Sequence, residues 1–238
     1  MSENPRTVQT ETREAMSIRV IGLGNVLMGD DGFGPHVIAA LQACCSFSSD
    51  VTVLDLGTPG LDLTPFVTDV DALIVVDTVN SHGAPGELRL YHRDQILRYA
   101  PQARLGPHDP SLKEALLLAR ITGRSPQHVL LVGAIPEKTE TGPGLSASVQ
   151  RAVSYAAFQV IREIERLGGT ITVHATPCPQ PVWWEKRPEA RIDMLDVTAA
   201  RGTAAHAAEP AGIPWHCDVQ APAGVTMTAL KSPPRREG

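Results

Sequence analysis

The stretch Ile21-Gly22-Leu23-Gly24-Asn25-Val26-Leu27-Met28-Gly29-Asp30-Asp31-Gly32-Phe33-Gly34-Pro35 decides the fold. Ahead of it, Ser17 to Ile21 is a short, mostly apolar run of the kind that forms a buried strand. Behind it, Val37, Ile38 and Leu41 recur at helical spacing, so the pattern predicts a strand over 17–24, a glycine turn, and a helix from Asp31 to Cys45. Strand, glycine turn and helix also open a phosphate-binding loop. The dinucleotide fingerprint requires a third glycine after Gly22 and Gly24, where helix packs on strand, and Leu27 stands there instead. A phosphate would sit on the positive end of the helix, yet that end carries Asp30 and Asp31. Like charges in a partly dry site repel strongly. The loop presents acid to something positive, unless one of the two acids is only a helix cap, an interaction of about 0.5–2 kcal/mol.

Further along, strands and helices alternate. Val51–Leu56 alternates and is β-branched, a second strand carrying Asp55 near its end. Gly57 to Gly60 is a turn, and Leu61–Val67 a short helix. Ala72–Asp77 is apolar up to its final acid, the signature of a central parallel strand. Glu87–His92 alternates as an edge strand, and Arg93–Ala100 is a short helix. A loop through Pro107 and His108 leads to an amphipathic helix, Ser111–Ile121, stopped by Gly123. Val129–Ile135 is a fifth strand, and a long helix runs from Ser146 to Leu167. The alternation predicts an α/β fold, a three-layer α/β/α arrangement with a mostly parallel five-stranded sheet covered on both sides.

Residues 1–16 read as a disordered leader, 17–174 as the folded domain, and 175–238 as a Pro/Ala-rich disordered tail. Met16, one residue ahead of the first strand, is a candidate native start, which the intact mass of the native protein decides. All three tryptophans, Trp183, Trp184 and Trp215, fall in the tail, where Trp also serves as an interface anchor. A net charge of -5 disfavours a nucleic-acid partner. No run is apolar enough to cross a membrane, and the leader lacks the apolar core of a signal peptide. Cys44 and Cys45, adjacent in the first helix, with Cys178 and Cys217, form no disulfide framework or recognised metal spacing. The expectation is a soluble, cytoplasmic monomer.

In open parallel sheets ligands collect beyond the carboxyl ends of the strands. Asp30 and Asp31 follow the first strand, Asp55 lies near the end of the second, and Asp77 ends the third, while His108 opens a helix that reaches the same rim. Each has a plain alternative: Asp55 as a turn former, Asp77 as a partner of loop amides, His108 as an ordinary loop histidine. Together, two carboxylates and an imidazole suit Zn, Ni, Co, Mn or Fe better than Cu(I) or an iron–sulfur cluster. There is no Gly-x-Ser-x-Gly elbow, no His-Glu-x-x-His and no cysteine beside a base, so the chemistry rests on a metal or on a pair of acids.

Gly22-x-Gly24-Asn25, Gly29-Asp30-Asp31-Gly32 with Gly34-Pro35, the strand ending in Asp77, Pro85-Gly86, Pro107-His108 and Val132-Gly133-x-x-Pro136-Glu137 occur in one order. In this the chain resembles the nickel–iron hydrogenase maturation endopeptidases, over residues 17–170. The resemblance implies a phosphorylase/hydrolase-like α/β domain. It further implies removal of a C-terminal extension from a hydrogenase large-subunit precursor after nickel insertion, by an aspartyl-type endopeptidase. The family's metal-binding positions map to Asp31, Asp77 and His108, with Asp30 left as cap or support. The nickel would come from the precursor, and no organic cofactor is implied. Two other readings stand beside it: a nickel-dependent chaperone that holds the precursor without cutting, and a nucleotide-binding oxidoreductase or regulator built on Gly22, Gly24 and Asp55.

Overall fold

The computed structural model describes residues 16–59, 63–99 and 112–176, together with 178, 182 and 184. Its elements are β1 (Ile18–Leu23), a 3-10 turn (Gly29–Gly32), α1 (Phe33–Cys44), β2 (Cys45–Phe47), β3 (Val51–Gly57), α2 (Thr64–Val67), β4 (Ala72–Thr78), β5 (Leu88–His92), α3 (Arg93–Tyr99), α4 (Leu112–Ile121), β6 (His128–Ala134), α5 (Ala147–Arg166) and β7 (Ile171–Val173). Five strands form one sheet in the order β3-β1-β4-β6-β5. The first four are parallel, and β5 joins β6 antiparallel at the edge.

Strand alternation sorts the core into two layers. Ile18, Val20, Ile74, Val76, Leu130 and Val132 pack under α1 and α5. Ile21, Leu23, Leu73, Val75, Val129 and Leu131 pack under α2, α3 and α4. All seven residues of β4 are buried, as its apolar run predicts for the middle strand. The long helix α5 turns Val149, Ala152, Val153, Ala156, Val160 and Ile164 inward at helical spacing. Arg19 on β1 donates to the carbonyl oxygens of Phe66 and Thr68, capping the end of α2.

Two expectations fail locally. The first helix begins at Phe33, not Asp31, because residues 29–32 form the tighter 3-10 turn. Its N-cap, Gly32, makes no side-chain cap bond, so neither acid caps α1. Cys44 and Cys45 do not share a helix: Cys45 turns extended and opens β2, which pairs antiparallel with β7. The leader's residues 1–15 and nearly all of the tail lie outside the described residues. Cys178 and Trp184 are described, and both contact α1.

The start of β1 is held by Asp71, whose Oδ2 accepts from the amide and the hydroxyl of Ser17, each at 2.8 Å. The same two bonds hold its carboxyl below the ordinary value of 3.8. A folded-state value below the unfolded one gives stability that is complete at neutral pH and fades as pH falls through the lowered value. Asp71→Ala is therefore expected to cost about 1 kcal/mol at neutral pH, since the pair is solvent-exposed. Urea unfolding should show that deficit shrinking as pH falls below 3.8 and through the lowered value.

Candidate active site at the carboxyl edge of the sheet

The order of strands across the sheet reverses between β1 and β4: β3 lies on one side of β1, and the next strand of the sheet, β4, on the other. A crevice opens at such a switch point beyond the strand ends. Two glycines let the turn after β1 close down on it. A Cβ on Gly24, whose φ is 127°, would stand 1.8 Å from the carbonyl oxygen of Asp31. A Cβ on Gly34 would stand 2.2 Å from the Leu23 carbonyl oxygen and 2.6 Å from that of Val76. The turn after β1 thus packs backbone to backbone against the strand ends.

The two neighbouring acids do different work. Asp30 is fully buried and accepts four hydrogen bonds. Its Oδ2 takes the amides of Glu137 and Lys138 at 2.8 and 2.9 Å and the Ser146 hydroxyl at 2.9 Å, and its Oδ1 takes the Ser146 amide at 2.6 Å. Backbone bonds add to this clamp: Gly29 N–H to Gly142, Gly142 N–H to Leu27 and Asp30 N–H to Lys138. Residues 136–146 are thereby laced to the acidic turn. Asp31 is half-buried, with Oδ2 accepting from the amide of Asn25 at 2.9 Å.

Asp77 stands at the end of β4, 1% exposed, with Oδ1 accepting from the Thr78 amide at 2.7 Å. Asp55 forms a turn, accepting from the Gly57 amide at 2.9 Å. Desolvation of its carboxylate lifts its pKa, against the opposing pull of the Gly57 amide and of His36. This bears out the turn-former alternative for Asp55.

His108 lies outside the described residues. Among the described residues no group of three or more His, Cys, Asp or Glu side chains is placed to hold a metal. What the fold does fix is where α4 starts. Gln127 and His128, just after α4 and its loop, bond through their amides to Asp71 at the amino edge of the sheet. The ten-residue α4, about 15 Å long, therefore points its first residue, Leu112, toward the carboxyl edge. It packs on the layer of Leu73 and Val75, the face that Asp77 shares by strand alternation.

One residue at this edge is not legible from the sequence pattern. His36, 7% exposed, sits in the first turn of α1 with Nδ1 2.7 Å from the Gly32 carbonyl oxygen, and its ring meets Trp184. Its only signal in the sequence is a polar residue inside the buried stripe of an apolar helix.

Comparison with known proteins assigns the chain to a family. Residues 35–163 match the family model HycI, hydrogenase maturation protease, a span that contains Asp77 and begins just after the acidic turn. The hydrogenase expression/formation protein HoxM of Cupriavidus necator is 33% identical over 176 residues, covering 74% of this chain and 87% of that protein. The hydrogenase 2 maturation protease of Escherichia coli is 32% identical over 154 residues, covering 64% of this chain and 93% of that protein. The solved structure of the hydrogenase maturating endopeptidase HybD from Escherichia coli superposes with a TM-score of 0.62 at 30% identity, over 67% of this chain and 98% of that one. The matching family model, the sequence shared with HoxM and the fold shared with HybD make this chain a member of the hydrogenase maturation proteases, a family of peptidases.

Proposed function

We propose that the chain is an endopeptidase that removes the C-terminal extension of a nickel–iron hydrogenase large-subunit precursor, and that it recognises nickel already bound by that precursor through Asp31, Asp77 and His108. The observation that carries this is the division of labour between the adjacent acids. Asp30 is consumed by four internal bonds, while Asp31 stays half-exposed beside the strand end that holds Asp77.

The placement of α4 supports the third ligand: His108 precedes Leu112 by four residues, a reach of at most about 14 Å, from a helix start aimed at the carboxyl edge. Two carboxylates and an imidazole are donors that suit nickel(II). Nickel, when the precursor brings it, supplies a Lewis-acidic centre next to the bond to be cut. The enzyme's part is to orient. Asp77 sits on a central strand that cannot shift, and Asp31 on a turn pinned by Asn25 and by the Asp30 clamp. Both are set before the substrate arrives, so little ordering is left for the bound state.

The test is incubation with nickel-loaded and nickel-free precursor, followed by intact-mass measurement. Release of a C-terminal peptide from the loaded form alone is expected. A stable complex without release would favour the holding chaperone. Equal cutting of both forms would remove nickel from the recognition step.

A further inference from the structure

The segment after β7 returns along α1. The amide of His174 donates to the Cys44 carbonyl at 2.8 Å, and that of Cys178 to the Ala43 carbonyl at 2.9 Å. Both carbonyls belong to the last turn of α1, which has no partners for them within the helix. Six residues on, Trp184 meets His36 in the first turn, with ring centroids 5.7 Å apart and planes at 51°. From Ala43 to His36 the helix spans about 10 Å, well within the reach of six residues. Cys178 and Trp184 thus touch opposite ends of α1, Trp184 at the end that begins the site.

What it meets there matters. A carbonyl oxygen only accepts, so the 2.7 Å contact from His36 Nδ1 to the Gly32 carbonyl fixes the proton on Nδ1. Gly32 directly follows Asp31, and a Cβ placed on it would lie 3.4 Å from Nδ1. The imidazole therefore lies against the acidic turn, with the indole of Trp184 against it. Edge-inclined ring pairs of this kind are attractive beyond simple burial.

We propose that Trp184 and His36 are positioning residues for Asp31: the returning segment seats the indole on the imidazole, whose Nδ1–H holds the Gly32 carbonyl and so fixes the turn that presents the Asp31 carboxylate. The inference rests on the reading of Asp31 as a residue of the site. It makes residues beyond the paired strands, up to 184, part of the working enzyme.

The test uses the full-length chain with nickel-loaded precursor. Trp184→Ala and His36→Leu are each expected to lower kcat about tenfold with KM changed less than twofold, and the double variant to lose no more than either alone. Trp184→Phe, which keeps a ring, and His36→Asn, which keeps an N–H near the Nδ1 position, should each recover at least half of the loss. A readout independent of catalysis is the emission of Trp184 in a Trp183→Phe, Trp215→Phe background, which His36→Leu should shift. Unchanged emission would overturn the contact. Additive losses, or loss without rescue by Trp184→Phe and His36→Asn, would overturn the positioning role. An Asp31→Asn enzyme that cuts normally would instead sink the reading of Asp31, whatever the emission shows.

Discussion

Asp77→Asn should lower the rate of precursor cleavage on the order of a thousand-fold or more and leave the fold standing. Asparagine has the shape of aspartate and keeps an oxygen for the Thr78 amide, which Asp77 Oδ1 now accepts at 2.7 Å. What disappears is the charge. At a position 1% exposed, on a strand flanked by β1 and β6, a charge acts on a cation with little solvent screening. The loss should therefore fall on activity and not on stability. His108→Ala should behave alike: no processing, with the fold intact. Each variant is to be followed both by release of the C-terminal peptide and by thermal unfolding. A soluble Asp77→Asn enzyme working within tenfold of the parent would remove Asp77 from the site.

The backbone plan is readable from local chemistry because its signals are strong where burial is two-sided. The run Ala72–Asp77 has no polar residue before its last, and only a strand covered on both faces needs that. The alternation of Glu87–His92 marks the opposite case, and β5 is indeed the antiparallel edge. The pattern loses the short pieces. Three residues of β2 and three of β7 are too few to show a period, and they form only because Ser48 and Thr170 bring their ends together. The start of α1 is misplaced for a different reason. Acids before an apolar stripe usually cap it, but here the cap is Gly32, and both carboxylates have other partners.

The site is legible as a neighbourhood and not as an arrangement. That acids gather at the strand ends follows from the element order alone. Which of two adjacent acids turns outward does not, since the donors that claim Asp30 come from residues 107, 108 and 116 positions further along the chain. Likewise nothing near His36 in sequence announces Trp184. Such contacts are decided by the tertiary fold, and their residues look ordinary one at a time.

That asymmetry gives the two acids opposite expected phenotypes. Asp30→Asn can keep its oxygen at the Oδ2 position for the amides of Glu137 and Lys138, but its NH2 group must then face the Ser146 amide at Oδ1, setting donor against donor in a closed space. One buried amide set against a donor and a lost charge should cost about 3 kcal/mol, which for a domain of this size lowers Tm by about 6–12 °C. Asp30→Ala should cost about as much, since it strands all four donors. Hydrogen exchange should localise the damage. The amides of Glu137, Lys138 and Ser146 should exchange on the order of a hundredfold faster while those of β4 stay protected. Activity should fall with it, because the loop that backs the Asp31 turn is no longer laced to it. The decisive comparison is with Asp31→Asn, which keeps an oxygen for the part-buried bond from the Asn25 amide and should leave Tm nearly unchanged while cleavage collapses. If Asp30→Asn proves as stable as the parent yet inactive, and Asp31→Asn proves unstable yet able to cut, the roles assigned to the pair are reversed and Asp30 is the residue that meets the metal.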